Sequence, residues 1–390
     1  MQDHITRAVL PADQGPLAFT GATLRCATLY NGLVEPPRVL PISGVNSPVW
    51  LISDGAGGND RQVHALADAM QLAVRSIRMR ARAPWRWIAP RMTAAARWAF
   101  PRALRRDLRP PWPALAIGCG RQAALLVRSL RQWSGGATFA LQILDPRVDP
   151  VHYDLVIAPR HDGLAAANVI QTLGALNQVD ERWLERAAGA FPALAQLPRP
   201  RTVLLIGGPR RGLGLDDAWL ELLIARIQRW SERDGGSLLV TTSRRTPPAW
   251  RDRLRGAFRN GCTCFWGGPE DGANPYASYL ALADRIVVSP DSINMLSEAC
   301  AVGVPVISQL GPAAPAKFAA FHAELRNQGW LHGDDVDFST LRQPPPLREL
   351  AAVASKVWHV IESSRPDVGS ALTQANESPA PAAIESTAEV

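Results

Sequence analysis

Lysine is almost absent from this chain of 390 residues: among 42 basic residues only Lys317 and Lys356 are lysines. Arginine therefore carries nearly all of the positive charge, and the formal net charge is +7 with an isoelectric point near 9.6. A basic balance of this kind favours anionic partners, which include nucleotides, an anionic membrane surface and nucleic acid.

Cysteine is also scarce, and long apolar runs are missing. The five cysteines are odd in number and lack paired CxxC spacing, which argues against a disulfide framework and a zinc site and suits a reducing compartment. No apolar run reaches the roughly 18 residues of a spanning helix, and the start MQDHITRAVLPADQ lacks the apolar core of a signal peptide. We therefore expect a cytoplasmic protein, with peripheral attachment to the inner face of a membrane left open.

Short apolar segments alternate with helical patterns along most of the chain, in two runs. The segments that we predict as buried strands are 49–53, 114–118, 139–144, 153–159, 202–208, 237–243, 262–267, 285–289 and 305–309. Continuous apolar strands separated by helices are typical of parallel sheets covered on both faces. The sequence therefore predicts an α/β protein with two doubly wound, Rossmann-like domains that face each other across a cleft.

The domain boundaries follow from these two runs. We predict an unassigned N-terminal extension, an N-terminal domain, a linker, a C-terminal domain, a closing helical region and a disordered tail that is rich in Ser, Pro, Ala and Glu. These parts span, in that order, residues 1–45, 46–192, 193–201, 202–335, 336–364 and 365–390.

The stretch VSPDSINMLSEACAVGVPV gives the first candidate site. Asp291, Asn294 and Glu298 recur at spacings of three and four, so they share one face of a helix that follows a strand. In open α/β sheets, ligands bind beyond the carboxyl ends of the strands. A carboxylate here can accept both hydroxyls of a ribose, and free amides of the turn that contains Ser289 and Ser292 favour a phosphate. The alternative is that these side chains only cap the helix and face solvent.

Two further strand ends in the same domain carry small and cationic residues. LIGGPRRGLG matches neither the Walker A pattern nor the GxGxxG dinucleotide pattern. Glycine nevertheless lets backbone N–H groups approach an anion, and guanidinium groups can pair with a diphosphate. The candidate residues of these two strand ends are Gly207, Gly208, Arg210, Ser243, Arg244 and Arg245. Together with the helix above they predict a pocket for a nucleoside diphosphate, whereas either loop alone is equally well explained as a plain connection.

In the N-terminal domain the candidates are polar groups at two strand ends. Asp54 follows the first strand, in SDGAGGNDRQ, and His161 and Asp162 follow a later one, in APRHDG. A histidine beside a carboxylate at a cleft edge can take a proton from a hydroxyl acceptor, and a surface loop histidine is the alternative. LDPRVD is not a DxD motif, and no His, Cys and Asp cluster has ligand spacing, so we expect metal-independent chemistry.

Residues 75–113 form an Arg/Trp segment that interrupts the regular pattern. Its arginines alternate with four tryptophans, including Trp87 and Trp98, and Asp107 is its only acid. Arginine and tryptophan together suit an anionic lipid surface, since indole sits at the headgroup level. Contacts with nucleic acid are a second interpretation, which no recognisable nucleic-acid motif supports. A solvated helical insertion with its tryptophans in the core is the third.

Several of these motifs together resemble the mitochondrial-fission "elongated mitochondria" family. They are DGAGGNDRQ, PRHDG, LIGGP, TTSRRTP, NPY (274–276), ALADRIVVSPDSINMLSEACAVGVPV and KFAAFH (317–322), within residues 48–335. The family in turn resembles GT-B glycosyltransferases, which hold the donor nucleotide in the C-terminal domain and the acceptor in the N-terminal one. The first loop of family members often reads DGKxGH, whereas Ala56 replaces the lysine here.

The resemblance implies roles for the residues that match. Glu298 would bind the donor ribose, the turn 289–292 would lie beside the diphosphate, and Gly207 and Gly208 would form the phosphate loop. The Arg/Trp segment is similar in kind to the basic, apolar face by which some GT-B enzymes dock on membranes.

Three functions follow from this resemblance. The first is glycosyl transfer from a nucleotide-diphosphate sugar, the donor substrate, to a cell-envelope glycan or lipid-linked acceptor, without a cofactor. His161, Asp162 or Asp54 would take the acceptor proton, and Arg210 or Arg245 would offset charge on the leaving diphosphate. The second is a non-catalytic adaptor at a membrane surface, and the third is a nucleotide-sugar epimerase. We expect no nucleic-acid partner.

Overall fold

The computed structural model describes residues 24–25, 48–259, 261–334, 336 and 338–377. The strands are β1 (Leu24–Arg25), β2 (Val49–Ser53), β3 (Val74–Arg78), β4 (Leu115–Cys119), β5 (Phe139–Ile143), β6 (Leu155–Pro159), β7 (Val169–Thr172), β8 (Arg201–Ile206), β9 (Ser237–Thr242), β10 (Thr263–Trp266), β11 (Arg285–Val288), β12 (Val306–Ile307) and β13 (Leu331–His332). The α-helices are α1 (Gly57–Ala69), α2 (Trp85–Ile88), α3 (Arg102–Asp107), α4 (Arg121–Trp133), α5 (Glu181–Ala190), α6 (Asp217–Asp234), α7 (Pro248–Ala257), α8 (Tyr276–Leu282), α9 (Ile293–Cys300), α10 (Ala316–Asn327), α11 (Leu350–Ser364) and α12 (Pro366–Glu377).

The described strands form two sheets, and every pairing in them is parallel. The sheet of the N-terminal lobe has the order β3-β2-β4-β5-β6-β7, and that of the C-terminal lobe has the order β1-β10-β9-β8-β11-β12-β13. Both orders reverse beside the first strand of the lobe, β2 or β8, as in doubly wound folds. The predicted fold class is therefore confirmed. The predicted N-terminal extension lies outside the described residues, apart from β1.

Strand β2 shows why each sheet lies between two layers of helices. Val49 and Leu51 face one side and pack with Leu66 of α1, whereas Trp50 and Ile52 face the other side and pack with residues of α4. All five side chains are buried. Successive strand residues point to opposite faces, so a continuous apolar strand requires cover on both.

The last described part of the chain, residues 349–377, returns from the C-terminal lobe to the N-terminal lobe. In α11, Val357 and Ile361 are buried in the core of the first lobe, and Val368 and Leu372 of α12 join them. The prediction of a disordered tail is therefore wrong for 366–377, because two apolar residues one helical turn apart find a core to pack on. The rest of that tail lies outside the described residues.

Glu349, just before α11, ties this returning segment to the first lobe. Its carboxylate accepts the N–H of Leu173 over 2.9 Å and the N–H of Gly174 over 3.1 Å. Within residues 48–377 the chain therefore crosses between the lobes at two described places, after β7 and before α11, and these two crossings are hydrogen-bonded to each other.

The Arg/Trp segment is built on β3, which sequence patterning missed, followed by α2, the 3-10 helix Ala96–Ala99 and α3. Phe100 and Leu108 are buried and fix it to the core. Trp87 and Trp98 are 61% and 63% exposed, so the interpretation that places the tryptophans in the core fails for these two. No helix among the described residues is long and apolar enough to cross a membrane.

Candidate functional site

A cleft of about 760 Å³ lies between the lobes, at the carboxyl ends of both sheets. The first turn of α1 and the 3-10 helix Arg160–Asp162, which follow β2 and β6, contribute its N-terminal wall. The loops after β8, β9 and β10 and the first turns of α9 and α10 contribute its C-terminal wall. Parallel strands end at one edge of a sheet, so loops that are distant in sequence converge here.

Asp291 is fully buried beside the cleft, and its carboxylate has three donors. Ser289 Oγ donates to Oδ1 over 2.6 Å, Gly208 N–H donates to Oδ2 over 3.2 Å, and Arg245 Nη2 lies 2.5 Å from Oδ2. Arg210 donates to the backbone oxygen of Asp291 over 3.1 Å. The glycine pair that the sequence predicts for a phosphate therefore receives a carboxylate of the protein itself.

Only glycine fits at either position of this pair. A Cβ on Gly207 would lie 2.1 Å from Asp291 Oδ1, and a Cβ on Gly208 would lie 2.2 Å from the backbone oxygen of Arg245. Gly207 N–H also donates to Ser289 Oγ over 2.7 Å. Neither glycine lines the cleft, so an anion reaches their amides only if Asp291 moves away.

Glu298, in the second turn of α9, is also buried and bridges the two lobes. It accepts a short hydrogen bond from the Tyr276 hydroxyl, and its Oε1 lies 3.2 Å from Arg61 Nη2 of α1. Burial of the hydroxyl, followed by the negative charge of Glu298, raises the pKa of Tyr276 well above its usual range, so the hydroxyl remains a donor. The carboxylate predicted to bind a ribose thus already has two partners.

The cleft is strongly cationic. Its six basic lining residues are Arg61, Arg210, Arg244, Arg245, Arg251 and Lys317, and Asp291 is the one acidic residue among those that line it. Three of the cations pair with carboxylates, which belong to Glu298, Asp291 and Asp162. Partial burial, followed by the positive charge of the neighbouring Arg245, lowers the pKa of Arg210.

Arg244 has no ion-pair partner among the described residues, and it faces the opposite lobe. Its guanidinium lies so close to the first turn of α1 that a Cβ on Gly57 would be 2.6 Å from Nη2. The N-terminus of a helix carries partial positive charge, and no side chain caps α1. Arg244 therefore adds positive charge beside the first turn of α1, whose own acid, Asp60, is paired with Arg78.

The remaining polar candidates of the C-terminal lobe also line the cleft. Ser292 Oγ accepts the N–H of Met295 over 3.3 Å and caps α9, as its sequence position predicts. Ser243 Oγ accepts the N–H of Arg245 over 3.1 Å and so shapes the loop after β9. Asn294 reaches the opposite wall, at the first turn of α1.

Asp54 does not line the cleft. Its Oδ1 accepts the N–H of Ala56 over 3.0 Å and an Nδ2 hydrogen of Asn59 over 3.1 Å, which orders the loop before α1. The structure therefore places Asp54 in support of the loop and away from the other two proton-acceptor candidates.

His161 lines the cleft from the N-terminal lobe, with a side chain only 3% exposed. Neither ring nitrogen has a hydrogen-bond partner among the described residues. Burial, followed in the same direction by the charge of Lys317, outweighs the raising effect of Asp162 and lowers the pKa of His161 to about 4. The imidazole is therefore neutral near pH 7 and able to accept a proton.

The cleft is also lined by three basic residues and a tyrosine that were not predicted from the sequence as site residues. They are Arg61, Arg251, Tyr276 and Lys317. Lysine is so rare in this chain that Lys317 stands out, and NPY places Tyr276 directly after a turn. Arg61 and Arg251 carry no comparable signal among so many arginines.

Two parallel doubly wound sheets across a cleft, with the last helices returning to the first lobe, define a GT-B fold. A Listeria monocytogenes protein assigned as a UDP-N-acetylglucosamine 2-epimerase has the same fold, with a TM-score of 0.54 and 11% identity. The match covers 83% of this chain and 98% of that one. The UDP-GlcNAc 2-epimerase of Neisseria meningitidis, bound to UDP-GlcNAc, gives a TM-score of 0.48 at 10% identity over 81% of this chain and 99% of that one.

The family model Mitochondrial fission ELM1 matches residues 57–361, and the chain belongs to this family. The Mitochondrial fission protein ELM1 of Arabidopsis thaliana is 30% identical over 280 residues. That match spans 63% of this chain and 63% of the plant protein, which is less than two thirds of the relative. The resemblance predicted from the motifs is confirmed.

Proposed function

We propose that the chain is a glycosyltransferase that transfers a sugar from a nucleotide-diphosphate sugar, the donor, to a cell-envelope glycan or lipid-linked acceptor. In this proposal the transfer does not use a metal ion. The observation that carries this proposal is the composition of the cleft. A surplus of guanidinium groups faces the buried imidazole of His161, and within the described part of the chain Arg244 has no ion-pair partner and His161 no hydrogen-bond partner.

Charge supports an anionic donor. Six cations line the cleft, and Asp162, Asp291 and Glu298 together supply three negative charges, which leaves a surplus of three. A nucleoside diphosphate carries a comparable negative charge, and a cleft lined by one sign of charge concentrates the opposite ion. Arg210, Arg244 and Arg251 form no ion pair among the described residues, so they are available to its phosphates.

The reaction can be written with the groups at hand. A ring nitrogen of His161 takes the proton of the acceptor hydroxyl while its oxygen forms a bond to the anomeric carbon of the sugar. The bond between that carbon and the diphosphate breaks, and the diphosphate leaves with the bonding electron pair. The guanidinium groups stabilise the negative charge that develops on it.

A nucleotide-sugar epimerase is the second enzymatic candidate, and the name of the Listeria neighbour supports it. An epimerase would use the same donor pocket without an acceptor. An assay without any acceptor distinguishes the two activities, because only an epimerase would convert the sugar under that condition.

A non-catalytic adaptor is favoured by one observation of its own. Asp291 already accepts a hydrogen bond from the glycine loop, and Arg61 already pairs with Glu298. The protein itself therefore fills the two positions that were predicted to bind the phosphate and the ribose of the donor. Family membership supports this candidate as well, since the plant relative is named for mitochondrial fission.

Each of these three functions can include docking on an anionic membrane through the Arg/Trp segment. Exposed Trp87, Met92 and Trp98 lie among exposed arginines, and Asp107, the only acid, is paired with Arg75. Indole and guanidinium groups suit the headgroup region of an anionic bilayer. We expect co-sedimentation with vesicles containing anionic lipid, and its loss in a Trp87→Ser, Trp98→Ser double variant. Equal sedimentation of both proteins would contradict this part of the proposal.

The donor proposal is tested by thermal denaturation with UDP, GDP, CMP and their sugars. A ligand that binds only the folded state raises the melting temperature, by roughly 5 °C at a hundredfold excess over Kd. Arg244→Ala should abolish the increase, whereas Arg229→Ala, on the exposed face of α6, should retain it. If no nucleotide raises the melting temperature, the donor proposal fails and the adaptor is favoured.

A further inference from the structure

Three consecutive residues of the N-terminal lobe contact one face of α10. Arg160 Nη1 lies 3.3 Å from Glu324 Oε1. The His161 ring packs edge-on against Phe321, with 4.9 Å between the ring centroids. Asp162 forms an ion pair with Lys317.

The helical partners lie at positions 317, 321 and 324, a spacing that places them on one face of α10. The contact joins the two lobes, because α10 belongs to the C-terminal lobe and the 3-10 helix Arg160–Asp162 to the N-terminal lobe. One ion pair between the lobes therefore lies on each side of His161, and both help to set its position in the cleft.

The charged groups around His161 are few. Asp162 Oδ1 lies 3.9 Å from Nε2, and Lys317, beyond it, also lines the cleft. Arg160 and Glu324 pair with each other on the far side of Phe321. The Asp162 side chain is only 3% exposed, so solvent screens its charge weakly and Lys317 is its main counter-charge.

We propose that Lys317 is a positioning residue of the cleft: by pairing with Asp162 it holds that carboxylate away from the ring nitrogens of His161, so that a ring nitrogen stays free to accept a proton. The proposal rests on the proposed function only for the source of that proton, the acceptor hydroxyl. The state of the imidazole itself is a property of the protein without ligand.

The physical reason is a competition for one carboxylate. A carboxylate within about 4–6 Å of an imidazole favours its protonated form. Lys317 acts in the opposite direction, both through its own charge and by holding Asp162. Without the lysine, the buried Asp162 carboxylate can accept a hydrogen bond from a ring N–H of His161, which raises the pKa of His161 and occupies a ring nitrogen that is otherwise free.

The test follows the ring signals of His161 by NMR in the full chain without ligand, assigned by their loss in His161→Gln. We expect Lys317→Met to raise the pKa of His161 by about 1 and Asp162→Asn to lower it. Lys317→Arg should leave it near its original value, because the positive charge is retained. The double variant Lys317→Met, Asp162→Asn should lie near the original value, since both opposing charges are gone.

Glu324→Gln is the matched control, because it breaks the neighbouring pair on the same face of α10 without changing a charge next to His161. Its His161 titration should be unchanged. An unchanged titration in Lys317→Met would overturn the proposal, as would an equal upward change in Glu324→Gln. Melting curves confirm that each variant is folded. The double variant Arg160→Gln, Glu324→Gln loosens the same contact further, because it removes both members of the neighbouring ion pair.

Failure of this inference and failure of the proposed function are distinguishable. If the titration changes as expected but no nucleotide raises the melting temperature, Lys317 controls His161 in a protein that is not a nucleotide-sugar enzyme. If a nucleotide binds and the titration is unchanged, the donor proposal stands and the role of Lys317 is wrong.

Discussion

Arg61 of the N-terminal lobe and Glu298 of the C-terminal lobe form an ion pair across the cleft, with 3.2 Å between Nη2 and Oε1. Arg61 is 58% exposed, whereas Glu298 is 9% exposed in its side chain. The pair therefore joins a solvent-exposed cation to a buried carboxylate. A ribose that uses Glu298 must displace Arg61, and binding of a donor must then loosen one contact between the lobes.

Arg61→Ala should tighten binding of the nucleoside diphosphate selected by thermal denaturation. The carboxylate is freed from a competitor worth about 1 kcal/mol, which corresponds to roughly fivefold in Kd. Titration calorimetry measures the change, with Arg61→Lys as the variant that retains the pair. Glu298→Ala should abolish binding. If Arg61→Ala weakens binding as strongly as Glu298→Ala does, Arg61 contacts the ligand and does not compete with it.

Asp291→Asn should lower the free energy of unfolding by roughly 3 kcal/mol, because a buried carboxylate with three donors becomes an amide beside an unpaired Arg245. Urea denaturation at pH 7 gives this value. Glu221→Gln removes an exposed ion pair with Arg253 and should change stability by less than about 1 kcal/mol. Equal effects in the two variants would show that the Asp291 carboxylate is not held as described.

Gly207→Ala should destabilise the fold by about 1–3 kcal/mol, since its Cβ has no space beside Asp291. Gly189→Ala provides the contrast, because Gly189 lies inside α5 with no atom within 4 Å of the added Cβ. Alanine is the better helix former, so this variant should gain up to about 1 kcal/mol. Denaturation midpoints of the two variants should therefore move in opposite directions.

His322 gives the fold a dependence on pH. Burial, followed by the charge of Arg326, lowers its pKa from 6.5 to about 4. The unfolded chain therefore binds a proton at this site between pH 6.5 and 4 while the folded chain does not, so stability falls as the pH falls through that range. At pH 5 the part of this loss that is due to His322 should be about 2 kcal/mol relative to pH 7.

His322→Gln removes this titration. The variant is expected to be less stable at pH 7, but the difference between its stability at pH 7 and at pH 5 should be smaller than in the original chain by about 2 kcal/mol. Urea denaturation at both values measures it. Identical pH dependence in the two proteins would exclude His322 as the source.

The fold was predictable because its strands are short, continuously apolar and separated by helical patterns, and β2, β4 and β8 show this most clearly. Strand β7 and helix α5 were missed. The burial pattern of β7 is only partial, and α5 presents a single buried residue, Ala187, so neither has a strong apolar signal. Tertiary contacts, and not local pattern, fix such elements.

The site was predictable in its location but not in its partners. The strand-end rule placed Asp291 and Glu298 on one side of the cleft and His161 on the other, and the structure shows Asp291 and His161 lining the cleft and Glu298 buried beside it. Local sequence cannot show that Asp291 fills the glycine loop, or that Glu298 meets Arg61 from the other lobe. Such pairs depend on how the lobes approach, which spacing along the chain does not encode.

Leu173 and Gly174, at one chain crossing, donate hydrogen bonds to Glu349, at the other. The two crossings therefore act together as a hinge between the lobes. Two adjacent chain crossings permit rotation about the line that joins them and resist twisting about any other axis. Opening should therefore separate Arg61 from Glu298 and Lys317 from Asp162 in a single movement. A domain fused after α12 would therefore move with the N-terminal lobe, although in the sequence it would follow the C-terminal lobe.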